Sequence, residues 1–417
     1  METQRRAALS FVFVTVLLDM LAFGIIIPVL PKLITNFLHG DIGQSSKYLG
    51  LFVTVWALMQ FFFAPVIGVL SDRYGRRPII LLSNFGLGLD YIIMALAPTI
   101  GWLFVGRLLS GLTSSSGPTA NAYISDVTTP ETRSRAYGIF GAAFGLGFIL
   151  GPAAGGWLGH IDLRLPFWTA GACSLLNAVY GFFILPESLP PERRPTKLRW
   201  ERANPLGALK LLRSHHELFG LASVSLLNYL AHEVYVTVFV LYATLRYAWN
   251  ERDVGYSLAV VGVTTMIVSA GMVGTLVKRF GERATLFAGL FLGALGFALF
   301  GASPKGWIFL AAIPVNALWG LAAPPLQTLM TRRVSASEQG ELQGAVASLR
   351  GIAMIVGPGI FAAIFAYFIA PSRYLPGAPW FLSAIFLAAA LGLAWIVAPK
   401  EDRSKQKEPS SPITTVA

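Results

Sequence analysis

Cysteine is nearly absent from this chain of 417 residues: Cys173 stands alone. One thiol closes no internal disulfide, and the usual cysteine-based metal centres need several ligands. A disulfide scaffold is therefore excluded, and Cys173, set within an apolar run, reads as a small packing residue. Charge is almost as scarce. Only 13% of residues are charged, against about a quarter in soluble domains. That shortage excludes a soluble globular enzyme and a disordered chain alike. Acidic residues are the rarer sign, 21 against 32 lysines and arginines, for a net charge of +11. Such a balance invites a nucleic-acid reading, but no basic face interleaved with aromatics exists. The basic residues sit between hydrophobic runs, as they do in loops on one side of a membrane. What the chain has in abundance is apolar surface: 55% hydrophobic residues and a mean hydropathy of +0.63.

A helix crossing about 30 Å of hydrocarbon needs about 20 residues. Runs of that kind occur at approximately 9–31, 48–71, 79–97, 101–123, 136–160 and 166–186, then at 216–246, 254–278, 284–302, 306–330, 341–369 and 378–398. The first continues past Asp19 to Pro31 without a small-residue cleavage site, so it is a span and not a secretory signal. These twelve runs predict an all-α membrane protein of twelve transmembrane helices. With the N-terminus cytoplasmic, 23 basic residues fall in the inner loops and ends and 7 in the outer ones. The positive-inside rule then places both termini in the cytoplasm.

The longest polar interruption, 187–215, begins PESLPPERRPTKLRWER and divides the spans six and six. Its prolines and charges predict a cytoplasmic linker. The expected domains are a six-helix bundle at 1–186, the linker, a second bundle at 216–398 and a cytoplasmic tail at 399–417. An internal repeat agrees with two pseudo-symmetric bundles. GVLSDRYGRRPI at 68–79 resembles GTLVKRFGERAT at 274–285, and the same offset of 206 carries Gly151-Pro152 to Gly357-Pro358 and Pro118 to Pro324. Parallel halves of this kind place a substrate site near mid-membrane where they meet.

Two motifs stand out. In the loop from Gly68 to Arg77, Gly75 permits positive φ, and Asp72, Arg73, Arg76 and Arg77 can form charge-assisted pairs. Such pairs latch cytoplasmic helix ends in one state and release them in another; the plainer reading is a positive-inside turn. The run GLGFILGPAAGG at 145–156 is rich in small residues that let helix backbones approach, and Pro152 can kink its helix. It reads as a sealed rocking contact or as ordinary close packing. It lies within hydrocarbon and has no lysine, so it is not a nucleotide loop.

Ionisable residues within spans are the sharpest functional signals, since a charge at mid-membrane costs ~2.5–3.5 kcal/mol even on the milder scales. Asp19 lies about ten residues into helix 1, where it can exchange a proton as a cavity alternates between dry and wet. Arg107 in helix 4 keeps its proton and must pair with a carboxylate, a carbonyl or substrate. In helix 7, His232 and Glu233 point about 100° apart and cannot both face one spot; Glu233 is expected to face the cavity. Arg350 in helix 11 can snorkel towards the cytoplasm. Gln60, Asn121, Asn228 and Gln327 are polar span residues able to hydrogen-bond a drug.

The loop G-V-L-S-D-R-Y-G-R-R-P closely resembles the signature of the major facilitator superfamily, and GLGFILGPAAGG resembles the glycine-proline motif of its drug/proton antiporters. LLDMLAFGIIIPVLPKL (17–33), GLDY (88–91), GRLLSG (106–111) and EQGELQG (338–344) are similar to segments of tetracycline/proton antiporters. About 390 residues are covered in collinear order. The resemblance implies the major facilitator fold and proton-coupled drug efflux. Asp19, Asp90, Arg107 and Glu233 would serve proton coupling. Gly68, Asp72, Arg73, Gly75, Arg76, Arg77, Gly151, Pro152 and Gly155 would serve gating, with Asp126 pairing with Arg76 or Arg77. The chain departs from those antiporters where a histidine of helix 8 and an aspartate of helix 9 fall near Thr265 and Gly293.

The expected partners are a small amphiphilic drug, protons and membrane lipid, with no nucleic acid and a monomer as the working unit. No cofactor or metal site is expected; a tetracycline would enter as a divalent-metal chelate. Tetracycline is the leading substrate. A different or broader drug set is the alternative, and a proton-linked uptake carrier is a weaker one. A membrane-embedded enzyme would need a clustered catalytic constellation, and a receptor or scaffold a sizeable soluble domain; neither is present. Short loops and the lack of disulfides favour the bacterial inner membrane.

Overall fold

Apolar runs bounded by glycine, proline or polar caps give a chain of helices, with no strand among the described residues. The computed structural model describes residues 2–114, 116–195, 198, 204–214, 216–335 and 337–398. The expected tail at 399–417 and part of the expected linker (196–197, 199–203 and 215) lie outside the described residues.

The first half comprises α1 (Glu2–Ile26), α2 (Leu30–Phe37), α3 (Ile42–Tyr74), α4 (Arg76–Leu96), α5 (Ile100–Thr113), α6 (Ser116–Val127), α7 (Pro130–Ile161) and α8 (Leu165–Ile184). A short α9 (Lys210–Ser214) leads into α10 (His216–Thr237), α11 (Phe239–Tyr247), α12 (Glu251–Ile267) and α13 (Val273–Phe280). The chain ends with α14 (Glu282–Ala302), α15 (Gly306–Ala317), α16 (Ala323–Thr331), α17 (Gln339–Phe368) and α18 (Ala378–Val397).

Among the described residues, ten stretches are long and apolar enough to span a membrane unaided, and α10 with α11 makes an eleventh, bent by 52°. The fourth expected span is the exception. It is broken at Ser114, where α5 stops and α6 takes over, and α5 alone is too short to cross. Three further spans depart from regular α-helix: a turn at 27–29 separates α1 from α2, a π turn, Val268–Met272, joins α12 to α13, and a 3-10 turn, Leu318–Leu321, joins α15 to α16.

The internal repeat is conformational as well as sequential. Gly75 (φ 106°) and Gly281 (φ 85°), 206 residues apart, both occupy the left-handed region that turns one helix into the next. The pairs that brace these turns repeat at the same offset with their signs exchanged: Arg76 binds Asp126, and Glu282 binds Arg332.

The halves meet along two seams, α7 on α12 and α3 on α17. Close backbone approach makes each seam. A Cβ on Gly255 of α12 would overlap the Pro152 carbonyl, and one on Gly50 of α3 would come within 2.5 Å of Ala362 Cβ. Across the second seam Ser46 and Thr54 donate to the carbonyls of Ala362 and Ile355, each at 3.1 Å. On its other side α7 lies against α1, where a Cβ on Gly155 would overlap the Ile25 carbonyl and one on Gly151 would meet Gly24 Cα at 2.7 Å. The glycine-proline run therefore sits at a three-way crossing of α1, α7 and α12.

Cross-half contacts gather towards the face away from α1's start. There Lys32 bridges to Glu251 (3.1 Å) and donates to the Trp249 carbonyl (3.1 Å). Towards the face where α1 begins and α18 ends, Gly138, Gly141, Gly271 and Gly274 are exposed and have open space where a side chain would be. One face of the bundle is sealed and the other is splayed. Gly155→Leu is expected to destabilise the folded protein by about 1–3 kcal/mol through overpacking, while Gly141→Ala is neutral or slightly stabilising. Thermal unfolding of the purified protein in detergent checks both.

Candidate functional site

In the first half the apolar lining of α1 is interrupted by Asp19, which is only 6% exposed. Burial of a carboxylate demands hydrogen bonds, and α8 supplies one: Asn177 Nδ2 donates to Asp19 Oδ1 at 2.9 Å and to the Thr15 carbonyl at 3.1 Å. One layer away, Asp90 of α4 is fully buried and faces Arg107 of α5, with Nη2 and Oδ2 3.4 Å apart. Arg107 also approaches Met94 Sδ at 3.5 Å. The pair needs Gly106, because a Cβ there would come within 2.7 Å of Asp90 Oδ1. Buried Tyr91 lies within electrostatic reach of Asp19, Asp90 and Arg107 alike. The three expected first-half residues are thus brought into one electrostatic neighbourhood. Sequence reasoning missed Asn177 and Tyr91; a polar amide within α8, the sixth span, was the available signal for the first.

At the splayed face one of the expected arginines forms charge-assisted pairs. Arg76 Nη1 binds Asp72 at 2.6 Å, its Nε binds Asp126 at 3.1 Å, and its backbone N–H donates to Glu187 at 2.9 Å. The partner of Asp126 is Arg76. Arg77 instead donates to the Phe182 carbonyl (2.6 Å), and Arg73 to the Pro195 carbonyl (2.7 Å). Gly75 is required twice over, by its positive φ and because Glu187 fills the space a Cβ would take. Gly68 has open space around it and makes no close approach in this conformation.

In the second half Glu233 is turned towards a neighbouring helix. It is 5% exposed and lies over Gly357 of α17, where a Cβ would come within 2.6 Å of its Cγ. The accessible neighbour is His232, whose ring stands 5.8 Å from Trp319 and 6.0 Å from Tyr235. Two residues 100° apart divided the roles, and the missing side chain at Gly357 drew the glutamate in. Arg350 is exposed. It is within electrostatic reach of Tyr229, His232 and Glu233.

Trp319, unnoticed in the sequence, explains Gly293. A Cβ at Gly293 would come within 2.8 Å of the Trp319 indole, so tryptophan occupies the space of any side chain there. The indole is fixed by Nε1 donating to Asn228 Oδ1 at 2.7 Å. Asn228 is therefore engaged in holding Trp319. Gln60 reaches the Ser114 carbonyl at the break in the fourth span (3.5 Å), and the Asn121 carbonyl accepts from Tyr137 (3.4 Å). Gln327 Nε2 has no hydrogen-bond partner among the described residues. Among the described residues no hydrogen bond joins any two of these four. No group of three or more His, Cys, Asp or Glu suited to a metal ion occurs among the described residues.

The profile of the Major Facilitator Superfamily matches residues 12–358. The chain is 37% identical over 384 residues to the tetracycline resistance protein, class C, of Escherichia coli, covering 92% of this chain and 95% of that one. It is 32% identical to the class B protein of Escherichia coli, covering 94% and 97%. The solved structure of the nucleoside transporter NupG shares the fold, with a TM-score of 0.76 at 12% identity over 94% of this chain and 100% of that chain. A profile spanning most of the chain, two near full-length relatives and a common fold converge on one statement: this integral membrane protein belongs to the Major Facilitator Superfamily and is a transporter, not an enzyme.

Proposed function

We propose that the protein exports tetracycline from the bacterial cytoplasm in exchange for protons. The observation that carries this reading is Asp19, a carboxylate buried in the first span and held by Asn177 beside the Asp90–Arg107 pair. Similarity to tetracycline resistance proteins of six classes supports the drug. The excess of basic residues at the splayed face supports cytoplasmic termini in a bacterial inner membrane. The sealed face then looks outward, and the structure is open to the cytoplasm.

In this scheme, outward opening wets Asp19, which takes a proton and loosens the drug. The protonated, empty carrier rocks inward, and drug binding from the cytoplasm is linked to proton release. The Asp90–Arg107 pair adjusts the field around Asp19 through Tyr91. Rocking must part the Lys32–Glu251 bridge and form closure near Arg76 and Asp126. A proton gradient of one pH unit supplies ~1.4 kcal/mol per proton, roughly a tenfold drug gradient, so no ATP is needed. The protein works as a monomer without a resident cofactor, and tetracycline enters as its divalent-metal chelate. A different drug set is the second reading, favoured by Trp319 filling the space beside Gly293.

Three outcomes check the scheme. In inside-out vesicles with an imposed proton gradient, tetracycline accumulates and an uncoupler abolishes the accumulation; uptake that ignores the uncoupler refutes antiport. Asp19→Asn inserts normally but loses at least 100-fold of uphill transport, and persistence of uphill transport removes Asp19 from coupling. With Cys173 replaced by serine, Lys32→Cys and Glu251→Cys joined by a short bifunctional thiol reagent stop transport, and cleavage of the link restores it. Undiminished transport by the linked protein would show that this face does not open.

A further inference from the structure

We infer that Arg350, His232 and Trp319 form a substrate subsite in the second half that accepts a planar conjugated molecule carrying a delocalised oxyanion. The inference deepens the efflux reading and rests on it for the direction of transport. Arg350 lies about 16 Å along α17 from its first turn, well inside the span. Seven residues further, on the same face, Gly357 receives Glu233 of α10, so Arg350 also faces α10. It is nevertheless exposed, and makes no hydrogen bond or ion pair among the described residues. A permanent cation at this depth costs several kcal/mol unless water or a counter-ion attends it. Glu233, turned into Gly357, leaves that place open in the conformation that faces the cytoplasm.

The flanking side chains define the occupant. Trp319 offers an aromatic ring locked by Asn228, and His232 stands 5.8 Å from it with a ring nitrogen available to donate or accept. A guanidinium binds an oxyanion through two parallel N–H groups and stacks on flat conjugated systems, which an ammonium does not. A rigid aromatic wall, a fork-shaped cation and an adaptable imidazole together suit a flat conjugated molecule that presents an oxyanion better than an aliphatic amphiphile. Because Trp319 takes the space a side chain at Gly293 would fill, this subsite replaces that side chain with a π surface and moves the charge to Arg350, with the opposite sign.

Binding of tetracycline and of anthraquinone-2-sulfonate to the purified full-length protein, measured by calorimetry, tests the subsite. Arg350→Gln is expected to weaken both ligands at least tenfold, Trp319→Leu to do the same, and Arg350→Lys to retain part of the affinity, with thermal unfolding of each variant matching the wild type. Full-affinity binding of both ligands by folded Arg350→Gln overturns the inference, and Arg350 then serves Glu233 alone. If Trp319→Leu misfolds, Trp319→Phe replaces it, and a change in quenching by anthraquinone-2-sulfonate is required. Wild-type protein that binds anthraquinone-2-sulfonate but not tetracycline refutes the drug assignment while upholding the subsite.

Discussion

A charge inside hydrocarbon must be given a partner or a path to water, and the organisation of this transporter follows from how each is accommodated. Asp19 receives an amide from α8, and Asp90 receives Arg107 from α5. Glu233 is drawn against a glycine, and Arg350 is left open to the space between α17 and α10. These four solutions differ in kind. The first two lie within the first half and tie its helices together. The second two lie in the second half, with the carboxylate turned against α17 and the cation exposed.

Glycine permits this arrangement as much as charge demands it. The seams between halves rest on backbone contacts at Gly50 and Gly255, and the three-way crossing rests on Gly151 and Gly155. Such contacts involve few interlocking side chains, so one half can tilt on the other without unpacking a jigsaw of large residues. The proline carbonyl at 152 lies in the same contact, placing a backbone weak in internal hydrogen bonding at the pivot. The Lys32–Glu251 bridge at the sealed face and the Arg76 cluster at the splayed face then lie at opposite ends of this pivot.

Much of this was legible in the sequence because it is local. Length and hydropathy place the spans, and the left-handed turn at Gly75 with its arginines is written within ten residues. The repeat at an offset of 206 recurs in the φ of Gly281. What sequence reading missed is non-local. Helical phase alone could not say that Gly357 would capture Glu233 and leave His232 accessible. The occupation of Gly293's space by Trp319 joins residues on different spans, as does the bond from Asn177 to Asp19. The break at Ser114 was signalled by the polar run TSSSGPT at 113–119, which a reading of span length alone passed over, while Gln60 approaches the Ser114 carbonyl from another helix.

The exchanged signs of the two bracing pairs have an electrical consequence. Backbone N–H groups at a helix start carry a partial positive charge that favours anions and opposes cations. Glu282 opens α14 with the favoured sign, and a single bidentate partner, Arg332, suffices for it. Arg76 opens α4 with the disfavoured sign and is surrounded by three carboxylates, Asp72, Asp126 and Glu187. Duplication has therefore produced one corner at rest in its own field and one held against it. The Glu282 corner is rigid by default, whereas the Arg76 corner stays closed only while its anions remain assembled, which makes it the corner that a change of state can undo.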